Sequence, residues 1–140
     1  MTTVAGRNAG GRSLDRRTVA LAAVDVGLLA ALVTAGGLTH GLDPAGEPLA
    51  ALETIVPFVA GWLIVAAIAG LYTTDHLAVV PTVRTVTVTW LGGANVGFLL
   101  RASPYFDGGI AWPFPLVMTG LGLIVLVGWR VGAVALHSGD

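Results

Sequence analysis

The stretch TVALAAVDVGLLAALVTAGGLT, residues 18–39, decides the fold class. It contains one ionisable side chain, that of Asp25, and it lacks the polar face that a water-soluble helix needs. About 20 apolar residues, each rising ~1.5 Å, cross the ~30 Å hydrocarbon core of a bilayer. The stretch therefore predicts a transmembrane helix that carries a carboxylate within the membrane.

The composition of the whole chain also favours a membrane protein. Of its 140 residues, 55% are hydrophobic and 11% are charged, whereas about 25% of the residues in a soluble domain are charged. A net charge of −1, with no basic patch beyond a short N-terminal arm, argues against nucleic-acid binding. The chain has no cysteine, which excludes a disulfide framework and a thiolate metal site.

Three more apolar segments follow, and together they predict an all-α integral membrane bundle of four transmembrane helices. Residues 1–12 are Gly-rich and without apolar periodicity, and we expect a disordered cytoplasmic tail there. Residues 13–140 are expected to form one transmembrane domain. The predicted spans are residues 17–39, 52–72, 82–101 and 112–136.

The third span begins with alternating Val and Thr residues, TVRTVTVTW, a pattern that predicts a strand in a soluble protein. In lipid an isolated strand would leave its backbone groups unpaired, so a helix is predicted instead. Within the spans, Trp62 is expected to pack between helices, and Gly93 and Gly97 form a G-x-x-x-G pair typical of close helix packing.

The arginines predict the threading of the chain through the cell membrane. Four spans place both termini on one side. Six arginines fall on or near that side and one falls on the other: Arg7, Arg12, Arg16, Arg17, Arg84 and Arg130 against Arg101. Since cytoplasmic loops carry the excess of positive charge, both termini are predicted to be cytoplasmic.

Counting helix rise along the spans gives the depth of each polar group. Asp25 lies ~12 Å past Arg17, and Arg130 lies ~9 Å from the same surface, so the two are predicted to approach each other inside the bundle. Asn95 lies ~16 Å past Arg84, near the midplane. These three residues form a hypothetical ion or proton site, because an ionisable group within a membrane is commonly functional. The alternatives are a structural Asp25–Arg130 pair, an Arg130 that reaches the headgroups, and an Asn95 that bonds between helices.

A second cluster of polar residues is predicted at the outer surface. His40 follows the first span, Arg101 ends the third, and Asp107 lies in the loop after it. Such a cluster is the only place where the sequence offers residues for a membrane enzyme. His76 and His137 are predicted on the opposite side from His40, so no three-His metal site is expected. The sequence has no P-loop, H-E-x-x-H or G-x-S-x-G motif, and no catalytic residue, metal or cofactor is predicted.

A series of short motifs runs through the four spans. In order they are Asp25, Gly36-Gly37, His40, Pro57-Phe58, Gly61-Trp62, Trp90, Gly97-Phe98-Leu99-Leu100-Arg101 and Gly128-Trp129-Arg130. Their order and spacing resemble the domain-of-unknown-function family numbered 3054, small four-span membrane proteins of bacteria and archaea, over roughly residues 20–132. The resemblance implies a four-span fold in a prokaryotic membrane, and the family brings no established activity.

Three classes of function stay open at this point. A small accessory or structural membrane subunit is favoured by the scarcity of polar groups. A small proton- or ion-coupled transporter or channel is favoured by Asp25, and small multidrug transporters have a similar architecture with an acidic residue in the first span. A membrane enzyme would depend on the outer cluster. The expected partners are membrane lipids and either a second copy of the chain or another membrane protein.

Overall fold

The fold consists of four α-helices in a computed structural model that describes residues 2–73, 78–106 and 112–138. Side chains are described for residues 16–73, 78–106 and 112–136. The helices are α1 (Thr2–Thr39), α2 (Pro48–Ala69), α3 (Val79–Ala102) and α4 (Phe114–Ser138). No strand occurs among the described residues, and the prediction of an all-α membrane bundle is confirmed.

Local sequence signals explain where α2 begins and ends. Pro48 occupies its first turn, where a missing backbone N–H costs nothing. Gly70 follows its last residue in the left-handed conformation, with φ of 70°, and its N–H bonds back to the carbonyls of Ala66 and Ala67. Pro57 lies inside the helix and is buried against the rest of the bundle.

The Val–Thr stretch of α3 is helical, and two of its hydroxyl groups donate to backbone carbonyls four residues earlier in the chain. Thr82 donates to the carbonyl of Ala78 at 2.8 Å, and Thr89 donates to the carbonyl of Thr85 at 2.8 Å. Each of these hydroxyl groups therefore has a hydrogen-bond acceptor within its own segment and needs no partner from another helix.

The structure continues α1 back to Thr2, whereas the sequence predicts a disordered tail over residues 1–12. No proline interrupts this stretch, so its backbone can extend the helix of the first span. The contacts of the described side chains begin at Arg16. The division of the chain into a tail and a domain stays a prediction.

The four helices form a ring in which each helix packs against its neighbours in the sequence, and α4 closes the ring on α1. The diagonal pairs, α1 with α3 and α2 with α4, have no Cα atoms within 8 Å of each other among the described residues. Large side chains fill the space between them, chiefly Trp62, Trp90 and Phe58, which are fully buried. The prediction that Trp62 packs between helices is confirmed.

The closest helix contact lies between α2 and α3, at Gly61. A Cβ atom there would overlap the carbonyl oxygen of Gly93 and lie 2.9 Å from the backbone nitrogen of Gly97. The G-x-x-x-G pair of α3 is thus the surface on which α2 rests, as the sequence predicts. On the other side of α3, Gly122 leaves room for the Trp90 indole, which donates to the carbonyl of Thr119 at 2.8 Å.

Three of the helices are long and apolar enough to cross a membrane: Arg16–Thr39, Pro48–Ala69 and Phe114–Leu136. They identify a multi-pass membrane protein. The third predicted span is not among them, although α3 has 24 residues. Its threonines, together with Arg84 and Asn95, make it less hydrophobic than the three candidate spans.

Candidate functional site

The deepest charged contact in the described part of the chain joins the first and last helices. Asp25 of α1 is fully buried, and Arg130 of α4 is 4% exposed. The guanidinium binds the carboxylate with two donors, Nε to Oδ1 at 3.1 Å and Nη2 to Oδ2 at 2.5 Å. The approach of these two side chains, predicted from their depth, is therefore confirmed.

Two further donors complete the surroundings of the Asp25 carboxylate. The Tyr72 hydroxyl, just beyond the end of α2, donates to Oδ2 at 2.6 Å. The Trp129 indole nitrogen donates to Oδ1 at 2.9 Å. The Tyr72 oxygen in turn accepts a hydrogen bond from the Trp62 indole at 2.8 Å. We call these five residues, Asp25, Trp62, Tyr72, Trp129 and Arg130, the Asp25 network.

Each oxygen of the carboxylate accepts two hydrogen bonds, one from Arg130 and one from an aromatic residue. An ionised carboxylate offers about four lone-pair positions, and here all of them are filled. Bonds of this charge-assisted, two-pronged kind are shorter and stronger than neutral ones. Asp25 thus could take up a proton or bind a cation only after one of these bonds breaks.

Arg130 is also fixed from a second direction. Its Cζ lies 5.5 Å from the centre of the Tyr72 ring, a distance at which the cation is attracted to the aromatic face. The backbone carbonyl of Tyr72 accepts a hydrogen bond of 3.4 Å from Thr18 of α1. Tyr72 therefore contacts both charged residues and the helix that carries one of them.

Asn95 lies away from this network, on the exposed face of α3. Its amide nitrogen donates to the carbonyl of Leu91 in its own helix at 2.6 Å. The structure therefore joins only two of the three residues of the hypothetical ion or proton site. Whether Asp25 and Arg130 serve such a site stays a prediction.

The predicted outer cluster is only partly visible. His40 is exposed in the turn after α1, and Arg101 lies in the last turn of α3 with its Cζ 5.1 Å from the centre of the Phe114 ring. The two residues come from diagonal helices of the ring. Asp107 lies outside the described residues, so the cluster stays a prediction. Among the described residues, no three His, Asp or Glu side chains are grouped so that they could hold a metal ion.

Sequence reasoning missed Tyr72 and Trp129 as members of the network. Trp129 is adjacent to Arg130, and Tyr72 ends the predicted second span on the side from which the depth of Asp25 was counted. Both residues carry a donor on an aromatic body, which suits a buried site that needs hydrogen bonds without extra charge. This combination of depth and donor type was the available signal.

The family model described as "Protein of unknown function (DUF3054)" matches residues 22–133. The matched region contains every member of the Asp25 network. No curated protein and no solved structure matches the chain.

Proposed function

Because the chain belongs to the DUF3054 family of proteins of unknown function, we propose a role from its own geometry, that of a small accessory or structural membrane subunit. The observation that carries this proposal is the saturated carboxylate of Asp25, which accepts four hydrogen bonds from Arg130, Tyr72 and Trp129. A transport site needs a carboxylate that exchanges its ligand. A carboxylate whose lone pairs are all occupied instead holds α1, α4 and the end of α2 together.

The proposal includes four membrane crossings, with α3 as the third. In the ring, α3 packs between α2 and α4, and both of these helices are apolar enough to cross a membrane. We therefore expect α3 to lie in the membrane beside them. Its 24 residues extend for ~36 Å, enough to cross the hydrocarbon core. Its buried threonines, Thr82 and Thr89, bond to its own backbone, which lowers the cost of placing them in lipid.

The threading that goes with four crossings has both termini in the cytoplasm of a prokaryotic cell. The support is the arginine distribution described above, six residues against one. In this arrangement the Asp25 network occupies the cytoplasmic half of the bundle. A cluster of three aromatic side chains, Phe58, Phe98 and Phe114, occupies the outer half, and their ring centroids lie 5.3–6.0 Å apart.

The alternative is a small proton- or ion-coupled transporter or channel that uses Asp25. What favours it is the position of the carboxylate, since charged residues within membrane helices commonly mark ion or proton pathways. This function requires the network to open during each cycle, with Tyr72 or Arg130 leaving the carboxylate.

Proton flux into liposomes separates the two functions. The purified chain would be reconstituted with a pH-sensitive dye inside, and an imposed pH gradient would be followed for wild type, Asp25→Asn and Arg84→Gln, an exposed arginine of α3. For a structural subunit we expect all three to match protein-free liposomes. A flux that wild type and Arg84→Gln share and that a folded Asp25→Asn lacks would establish the transporter instead.

A further inference from the structure

One face of α3 points away from the bundle along the length of the helix. It carries Val88, Leu91, Asn95 and Leu99, and the three apolar residues are 56%, 41% and 73% exposed. The spacings of three and four residues place them in one stripe. The opposite face packs in the ring through residues such as Val86, Trp90 and Gly93. The stripe, which we call the Asn95 face, is thus an apolar seam with a single amide in it.

With α3 crossing the membrane as proposed above, the amide lies within the hydrocarbon core, where water is scarce. Asn95 is eleven residues past Arg84, ~16 Å along the helix, and seven residues, ~10 Å, before the last residue of α3, Ala102. Its Nδ2 bonds to the Leu91 carbonyl, and in the described part of the chain no donor reaches its Oδ1. An amide oxygen that faces hydrocarbon without a donor is unfavourable. The Asn95 face therefore requires a donor at that depth from outside this chain.

We propose that the Asn95 face is the contact surface of a homodimer, with the two Asn95 amides bonded to each other across a two-fold axis along the membrane normal. Two copies inserted with the same orientation place their Asn95 side chains at the same depth. Each amide can then supply the hydrogen-bond donor that the other one needs. An amide both donates and accepts, and it is therefore complementary to its own copy. A different partner protein would need a polar group of its own at the same level.

The rest of the Asn95 face fits the same arrangement. Val88, Leu91 and Leu99 supply apolar contacts on both sides of the amide. In paired helices, one polar residue in an apolar seam selects a single register and a defined number of chains. Hydrogen bonds between Asn side chains also hold helices together within membranes. This proposal rests on the crossing of the membrane by α3.

Cysteine cross-linking tests the position of the contact. The chain has no native cysteine, so each single-cysteine variant reports on one site. We expect Leu91→Cys and Leu99→Cys to form cross-linked dimers in native membranes. Ile124→Cys and Ile68→Cys, at positions 70% and 80% exposed on α4 and α2, serve as matched controls and should stay monomeric. Equal cross-linking at all four positions, or cross-linking only at the controls, would overturn the proposal.

A second measurement tests the amide itself. Dimerisation in liposomes would be followed by energy transfer between labelled copies at decreasing protein-to-lipid ratio. We expect Asn95→Leu to weaken the dimer about 3- to 30-fold, the range of one interhelical hydrogen bond in membranes. An unchanged dimer would refute the role of Asn95. Accessibility labelling of residues 73 and 105 distinguishes the two proposals. If they lie on opposite sides and no dimer forms, only the dimer fails; if they share a side, the crossing by α3 fails.

Discussion

At Asp25 of α1, donors from α4 and from the residues that follow α2 meet on one carboxylate. Arg130 supplies two of these bonds, and Tyr72 and Trp129 supply one each. Removing any donor leaves a buried acceptor short of a bond, and removing Asp25 leaves a buried guanidinium without its counter-charge. We therefore expect the loss of one member of the Asp25–Arg130 pair to destabilise the protein more than the loss of both.

A double-mutant cycle of Asp25→Asn and Arg130→Gln measures this sensitivity. We expect each single substitution to lower the free energy of unfolding by about 3–5 kcal/mol, because it leaves one buried charge without its partner. The double substitution is expected to cost less than either single one. The measurement is equilibrium unfolding of the protein in detergent, followed by tryptophan fluorescence.

The control for this cycle is Arg84→Gln, which removes an exposed arginine of α3. It should change the free energy of unfolding by no more than about 0.5 kcal/mol. Losses at Asp25 and Arg130 that simply add in the double variant would show that the two side chains do not interact energetically.

The hydroxyl of Tyr72 connects Trp62 to Asp25, because it accepts a hydrogen bond from the indole and donates one to the carboxylate. Tyr72→Phe keeps the ring beneath Arg130 but removes the acceptor of the Trp62 indole, which is fully buried. We expect unfolding free energy to fall by about 1–3 kcal/mol, the cost of an unsatisfied buried group. Tyr105→Phe, at a tyrosine that is 87% exposed, is the matched control. If both variants unfold alike in detergent, the Tyr72 hydroxyl contributes nothing.

The Asp25–Arg130 contact was predictable from the sequence because depth depends only on counting residues along a helix. Tyr72 and Trp129 were not, because their participation depends on how each helix is rotated about its axis. The rotation of α3 likewise decides that Asn95 faces outward and not toward Asp25. With apolar residues all round a membrane helix, the pattern that fixes rotation in soluble proteins is weak.

At the scale of the helices, the α2–α3 contact depends on glycine at position 61. Gly61→Ala places a methyl group against the Gly93 carbonyl, and two backbones must separate to admit it. We expect a loss of about 1–3 kcal/mol in unfolding free energy. The matched control is Gly27→Ala on α1, where nothing lies within 4 Å of the added Cβ atom. A variant at Gly61 as stable as that at Gly27 would mean that the helices are not in close contact.

The existence of four helices followed from the sequence, and their boundaries agree within a few residues at most ends. For the third helix, two sequence signals disagreed on whether the segment forms a strand or a helix. Its Val–Thr alternation favours a strand by propensity, but the need to satisfy backbone groups in lipid favours a helix, and α3 is helical from Val79 to Ala102. At its start, α1 extends back to Thr2, and the stretch 2–12 contains no proline that would interrupt it.

For the whole molecule, the prediction concerns sidedness. Single cysteines at Asp43, Thr73 and Tyr105, all exposed positions between helices, would be treated with a membrane-impermeant maleimide. With four crossings and cytoplasmic termini, residues 43 and 105 should react in intact cells and residue 73 only after lysis. Labelling of residue 43 only after lysis would reverse the threading.

The closure of the ring by α4 onto α1 also sets a condition on how the protein is made. Asp25 and Arg130 are 105 positions apart, and a ribosome adding roughly 5–20 residues per second needs about 5–20 s to cover that distance. For this time the first helix waits at the membrane with its carboxylate and without its arginine. A chain truncated before α4 keeps its carboxylate without a counter-charge, so an unfinished product differs from a finished one by an uncompensated charge among its helices.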